Sequence, residues 1–315
     1  MLHASRGRVL SSPVLKPPPL RNRDKVFIVA PAGPFDREGF EQGLAVLSER
    51  YEPIYDPGIF SRWRYLAGDD ARRLGELKTA LTDPSVRGVF CARGGYGVMR
   101  LLRGLQPDAL PPRLVVGFSD VTALHCAWQA AGRVTVHGPV MTQLGKQPRE
   151  VAVRLFQLLE STEPPPPLKG GQRVVPGQAE GVLVGGNLSV FSRLLGTPYL
   201  PPLEGSVLLI EDVGERPYRL DRMWTHLALA GVFEKVRGIV LGDFTGCEEK
   251  DVDYTSLDVV GALARETGLP CVGGYRIGHG DVNLPVPLGV RVHLDADGGT
   301  VSFLEAATRA EGGVA

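Results

Sequence analysis

Short apolar runs of strand type alternate along the first half of the chain with stretches whose apolar positions recur at helical spacing. Lys25-Val-Phe-Ile-Val-Ala30 has the continuous apolar character of a buried strand, and it stops in the turn Pro31-Ala-Gly-Pro34. Asp36 then opens a helix with acidic residues in its first turn. Residues 51–55 read as a strand, 69–82 as a helix, and Val86-Arg-Gly-Val-Phe-Cys-Ala92 as a second clear strand that runs directly into Arg93-Gly-Gly-Tyr-Gly97. Arg113-Leu-Val-Val-Gly-Phe-Ser119 is apolar until it breaks at Gly117, and helical spacing resumes after Asp120. Val134-Thr-Val-His137 is another strand end, and a helix follows over 149–159. Alternation of this kind implies parallel strands with helices across both faces.

Glu160-Ser-Thr-Glu-Pro-Pro-Pro-Pro167 stops the pattern, because four consecutive prolines fit neither a helix nor a central strand. Beyond it the elements change character. Residues 177–183 read as a strand, 185–195 as a glycine turn into a helix, and Val207-Leu-Leu-Ile210 as a strand delivering Glu211 and Asp212. A helix over 218–229, a strand over 238–242, a mostly helical stretch over 251–268 and a glycine-rich loop over 273–281 follow. Two last strands, 289–294 and 300–304, are joined by Asp295-Ala-Asp-Gly-Gly299, a hairpin turn. The expected organisation is a flexible tail over 1–23, a Rossmann/flavodoxin-like α/β domain over 24–160, a proline-rich linker over 161–178, a smaller mixed β/α domain over 179–305 and a tail over 306–315.

The 315 residues carry 35 basic and 35 acidic side chains with no long run of one sign, which argues against nucleic acid as a partner. Cys91, Cys126, Cys247 and Cys271 form no C-x-x-C pair, so neither a zinc knuckle nor a disulfide framework is suggested. The histidines lack ligand spacing and no H-E-x-x-H occurs, so no metal or other cofactor is expected. No apolar run approaches the length of about 18 residues that a membrane helix needs, and the N-terminus lacks a secretory h-region, so the expected location is the cytoplasm.

Within this frame Ser119 stands at a strand-to-helix turn, where a hydroxyl is presented beside the N–H groups that open the next helix. Ser119 or Asp120 can equally serve as a helix cap, and Val121 occupies the place of the second glycine in G-x-S-x-G. Gly95, in the turn after the second clear strand, is a candidate backbone donor to a substrate oxygen. Of the six histidines, His137 and His279 lie at segment ends beside glycine, and His279, between Gly278 and Gly280, has the more accessible ring. Glu211 follows an apolar strand at once and can orient such a histidine, with Asp212 and Glu215 as close competitors.

The motifs Arg93-Gly-Gly-Tyr-Gly97, Gly117-Phe-Ser-Asp120, His137-Gly-Pro139, Gly185-Gly-Asn-Leu188, Ile210-Glu-Asp212 and Gly278-His-Gly280, in this order from about Lys25 to Phe303, resemble the LD-carboxypeptidases. That family of serine peptidases also contains microcin C immunity-type hydrolases. The resemblance implies Ser119 as nucleophile, His279 as general base, Glu211 as its orienting acid, and the N–H groups of Gly95 and Asp120 as the oxyanion hole. It implies a barrel-like second half and a homodimer. The implied substrate is a murein tetrapeptide, cleaved between the L-centre of the third-position diamino acid and terminal D-alanine in cell-wall recycling. Arg93 and Arg219 are the candidate cations for the terminal carboxylate. Two other readings are an amidase acting on aminoacyl-nucleotide conjugates, which needs an aromatic surface from among Trp63, Trp128 and Trp224, and a non-catalytic ligand-binding protein.

Overall fold

The computed structural model describes residues 14–310. The first half consists of β1 (Lys25–Val29), α1 (Arg37–Ser48), β2 (Glu52–Ile54), α2 (Asp70–Thr82), β3 (Val86–Cys91), α3 (Val98–Leu101), β4 (Leu114–Gly117), α4 (Thr122–Ala130), β5 (Thr135–His137), α5 (Met141–Leu144) and α6 (Arg149–Glu160). Strands β2-β1-β3-β4-β5 lie side by side and are parallel, the strand order of a flavodoxin-like sheet. Every turn that leaves the carboxyl end of a strand therefore opens on the same edge. The turns after β1, β3 and β4 carry Gly33, Gly95 and Ser119 respectively.

The second half consists of β6 (Gln172–Val175), β7 (Gln178–Asn187), α7 (Leu188–Ser192), β8 (Val207–Val213), α8 (Pro217–Leu229), β9 (Gly238–Thr245), α9 (Ser256–Thr267), β10 (Cys271–Gly273), β11 (Val286–Leu288), β12 (Arg291–Asp295) and β13 (Thr300–Phe303). Its seven-stranded sheet, in the order β13-β12-β7-β8-β9-β10-β6, curls into a half-barrel. β7 to β10 are parallel, and β12, β13 and β6 run antiparallel to their neighbours. The expected mixed β/α class and the hairpin of β12 with β13 are both present.

The two halves are joined by more than a linker. β11 leaves the second half and pairs antiparallel with β5 at the edge of the first sheet, Val286 opposite His137. Helix α4 is buried along eight of its nine residues. A helix buried on nearly every side requires packing all round, and α4 finds it between the sheets. Thr122 Oγ1 accepts from Asn187 N–H at 3.0 Å, Gln129 Nε2 donates to Leu183 O at 3.0 Å, and Trp128 shares one apolar cluster with Phe191 and Ile210. The helix that follows Ser119 is thus anchored to the half that carries Glu211.

Several segments expected to be loose are packed. Leu20 is buried and its N–H donates to Leu159 O at 2.9 Å, while Lys16 pairs with Glu305 at 2.7 Å. Ala306, Ala307 and Thr308 are buried, and Thr308 Oγ1 donates to Ser161 O at 2.6 Å. The stretch expected as a linker contributes Leu168 to a bridge with Val301 and β6 to the second sheet. Proline content removes donors, but the leucines that follow the proline runs, Leu20 and Leu168, still bury their side chains. The tail residues before 14 and after 310 lie outside the described chain. α9 begins only at Ser256, where Thr255 and Asp258 form a capping box, and it stops at Gly268 with φ +67°.

Candidate active site

Ser119 follows β4 in a short turn with φ +65°, a left-handed conformation that an L-residue with a Cβ adopts at a cost of about 1–2 kcal/mol. The surroundings impose it. Phe118 before it is extended and nearly buried, with its ring 4.6 Å from that of His279 and 5.8 Å from that of His137. The turn after β3 lies against Ser119 so closely that a Cβ at Gly94 would stand 2.7 Å from Ser119 Cβ. That turn must therefore be side-chain-free at Gly94, which gives Arg93-Gly-Gly-Tyr-Gly97 a steric reason.

Asp120 locks the two turns together. Its buried carboxylate accepts from Val98 N–H at 2.8 Å, and burial pushes its pKa up to about 6. Arg73, fully buried on α2, donates to the carbonyls of Pro31 and Gly97, so the loops after β1 and β3 share one clamp. The N–H of Gly95 donates to no backbone or side-chain acceptor among the described residues. It sits in an open cleft of about 500 Å³ lined by Gly33, Pro34, Tyr65, Arg93, Gly95 and Tyr96.

His279 Nδ1 and Glu211 Oε2 are 2.7 Å apart. Glu211 is fully buried at a β-bulge, where the register of β8 against β9 shifts between Ile210 and Asp212. Bulges of this kind re-aim a side chain. The competing acids are engaged elsewhere: Asp212 accepts from Asn187, from the N–H and hydroxyl of Ser189, and from Val213 N–H, while Glu215 pairs with Arg219 at 3.4 Å. The glycines flanking His279 leave room for carboxylates. A Cβ at Gly278, whose φ is +125°, would meet Glu211 Oε2 at 2.5 Å, and one at Gly280 would meet Asp243 Oδ2 at 2.7 Å. Burial works against charging His279, but Glu211 and, behind it, Asp212 and Asp243 outweigh it and raise its pKa. The neighbouring carboxylates thus stabilise the ring in its protonated form relative to a free imidazole.

Three supporting residues escaped the sequence reading. Asp243 sits beside Gly280 with its pKa raised to about 6 by burial and by Glu211. Asn283, fully buried, accepts from Gly278 N–H at 3.0 Å and donates to Gln143 Oε1 at 3.0 Å, which ties the His279 loop to α5 of the first half. Arg73 is the third, a charge on the buried face of α2 beside Glu76, Leu77, Ala80 and Leu81.

Among the remaining candidates, His137 is buried in β5 with neither ring nitrogen hydrogen-bonded among the described residues. His226 lies in the last turn of α8 and His293 pairs with Ser302 across β12 and β13. Arg93 lines the cleft and donates to Pro34 O. Arg219 is on exposed α8 surface with Glu215 and Tyr218, and is not among the residues lining that cleft. Trp128 and Trp224 are core residues, and Trp63, at 41 % exposure, is the exposed tryptophan but is not among the residues that line the cleft.

Two buried histidines give this region a pH signature. His125 makes one hydrogen bond, to Gly117 O at 2.8 Å, and burial lowers its pKa to about 4, while His137 is lowered in the same sense. For His125 the unfolded chain takes up the proton near pH 6.5 and the folded chain only near 4, so stability falls on acidification through that window, and His137 adds to the fall in the same direction. For His125 the loss is on the order of 3 kcal/mol. Urea unfolding at a series of pH values will show this slope, and His125→Gln will flatten it; an unchanged slope would assign the loss to other groups.

The LD-carboxypeptidase N-terminal domain model matches residues 26–138 and the LD-carboxypeptidase C-terminal domain model residues 180–294. The murein tetrapeptide carboxypeptidase of Pseudomonas aeruginosa is 34% identical over 291 residues, 87% of this chain and 94% of its own. The crystal structure of muramoyltetrapeptide carboxypeptidase from Oxalobacter formigenes superposes with a TM-score of 0.79 at 30% identity, over 89% of this chain and 97% of that one. The microcin C7 self immunity protein MccF shares the fold, with a TM-score of 0.85 at 22% identity over 94% of this chain and all of its own. With both domain models matched in order and the glycine-flanked histidine paired to a buried glutamate, the chain belongs to the LD-carboxypeptidase family.

Proposed function

We propose that the protein is a serine carboxypeptidase that removes terminal D-alanine from murein tetrapeptides, cutting the bond after the diamino acid, in cytoplasmic cell-wall recycling and as a homodimer. The observation that carries this reading is the His279–Glu211 pair, oriented at 2.7 Å beside the turn that holds Ser119 at φ +65°. Nδ1 is committed to Glu211, so Nε2 is the nitrogen that takes the Ser119 proton as Oγ attacks the carbonyl carbon. The oxyanion is received by the N–H groups of Gly95 and Asp120. The tetrahedral intermediate collapses, His279 returns the proton to the departing amine, and D-alanine leaves. Water, deprotonated by the same imidazole, then frees Ser119 from the acyl-enzyme. Arg93 lines the cleft and supplies a cation for a substrate carboxylate, whereas Arg219 would first have to leave Glu215.

Mass spectrometry of a muramoyl tetrapeptide incubated with the protein tests this directly. The expected result is a tripeptide and free D-alanine, absent with Ser119→Ala. A second reading, hydrolysis of aminoacyl-nucleotide conjugates, gains from the exposed Tyr65 and Tyr96 that line the cleft, since aromatic faces stack bases. Intact tetrapeptide together with cleaved conjugate would put that reading first.

A further inference from the structure

Across from Glu211, strand β9 carries one residue more than β8. Ile210 lies opposite Leu241 and Asp212 opposite Phe244, so Gly242 and Asp243 together face the single residue Glu211. A bulge turns a side chain in a direction that regular pairing would not give it, and here the redirected side chain is a carboxylate. Position 242 has to be glycine, because a Cβ there would collide with the carbonyl of Ile277 and stand 3.1 Å from Glu211 Cβ. Asp243 N–H donates to that same carbonyl at 2.8 Å. The loop that carries His279 is thereby pinned to the bulge.

Asp243 lies against the residue that follows His279. A Cβ at Gly280 would stand 2.7 Å from Asp243 Oδ2, and the Gly280 N–H stabilises the charged form of that carboxylate. Oδ2 is buried without a hydrogen-bond partner among the described residues, and so is Glu211 Oε1. Buried polar atoms left unpaired are costly, and Glu211 and Asp243 also repel each other. The charged and titratable groups around them are few. Asp212 on β8 is engaged with Asn187, Ser189 and Val213, and His137 on β5 is held neutral by burial. Arg276, in the loop of His279, is exposed to solvent, which screens its charge. A proton on His279 is therefore the cation that both carboxylates can use.

We propose that Asp243 is a positioning residue for the general base: a second carboxylate, delivered by the β9 bulge beside the His279–Gly280 peptide, that holds the ring in place and stabilises the imidazolium formed when Ser119 gives up its proton. This rests on the serine carboxypeptidase reading and deepens it. Glu211 fixes the tautomer by direct contact, whereas Asp243 acts through the Gly280 peptide and through space. Both charges are in place before the reaction, so their effect needs no rearrangement at the moment of attack. The proton passes from Ser119 Oγ to His279 Nε2 and on to the departing amine, and Asp243 neither gains nor loses one in the cycle.

Asp243→Asn separates charge from shape, since its amide oxygen can take the same place against Gly280. On a muramoyl tetrapeptide its kcat is expected to fall about tenfold, the factor that one pKa unit represents, with KM and the urea midpoint close to wild type. The acid limb of kcat/KM should move to lower pH by about one unit, because the ring loses an anion that favours its charged form. The NMR titration of the His279 ring proton, assigned by its loss in His279→Gln, should move the same way when Asp243→Asn is added to Ser119→Ala. Asp243→Ala, which also removes the support against Gly280, should lose more kcat than Asp243→Asn. An acid limb and an NMR titration that both stay in place in Asp243→Asn would overturn the proposal, and so would a loss confined to stability or to KM. Failure of the carboxypeptidase reading looks different: the wild type leaves the tetrapeptide intact, while the NMR titration still reports what Asp243 does to His279.

Discussion

Ser119→Gly is expected to abolish turnover and to raise stability at the same time. Loss of the nucleophile in a serine hydrolase lowers kcat by about 10⁶-fold, leaving what the oxyanion donors and binding still supply. The stability gain comes from the backbone. Ser119 is one of four non-glycine residues with positive φ in the described chain, and it is held there by Phe118, by the approach of Gly94 and by the hydrogen bond between Asp120 and Val98. Glycine adopts φ +65° without the Cβ clash, which offsets the greater freedom it brings to the unfolded chain, for a net gain of about 0.5–1 kcal/mol. Ser119→Ala provides the control, because alanine removes the hydroxyl but keeps the Cβ. Both variants lose activity, and urea unfolding should place the glycine variant above the alanine variant. If the alanine variant were the more stable, the turn would not be strained, and its geometry would owe nothing to presentation of the hydroxyl.

The same turn shows what the sequence makes legible. β1, β3, β4 and β8 are runs of apolar residues buried on both faces, so their pattern alone locates them, and with them the glycine turns at their carboxyl ends. The placement of Ser119 and Gly95 follows from that, whereas His279 lies in the glycine-rich loop after β10. The choice among Glu211, Asp212 and Glu215 does not, because these acids share one strand end and the same local chemistry. What separates them is the bulge in β8, which depends on pairing with β9 some 30 residues away. Asn283 and Gln143 are ordinary polar residues until the fold brings them within 3.0 Å. β11 is hidden for another reason. It is three residues long and contains Pro287, which a strand tolerates at the edge of a sheet. The packing of the proline-rich stretches is likewise tertiary, since composition reports their poor propensity and not the surface waiting for Leu20 and Leu168.

Glu211→Gln and Asp212→Asn, adjacent and nearly isosteric changes, should have opposite signatures. Glu211 touches His279 with one oxygen, and its other oxygen, Oε1, is buried without a hydrogen-bond partner among the described residues. A glutamine amide offers His279 either a donor facing a donor or an acceptor without charge, so the tautomer that frees Nε2 and the imidazolium formed during attack both lose their support. In a serine protease the equivalent change lowers kcat by about 10⁴-fold. Folding should not suffer, because a buried charge with an unsatisfied oxygen is replaced by a neutral group. The acid limb of the pH profile should move to lower pH, since Glu211 is a main contributor to the raised pKa of His279. Asp212→Asn reverses the pattern. Its carboxylate gathers Asn187, Ser189 and Val213 around the start of α7, and an amide cannot accept from all of them at once. The expected cost is about 1–3 kcal/mol of stability, with kcat within roughly tenfold of wild type. Melting curves and D-alanine release on the two variants read both quantities. A large kcat loss in Asp212→Asn with near-normal turnover in Glu211→Gln would transfer the orienting role to Asp212 and require the β8 strand end to rearrange when substrate binds.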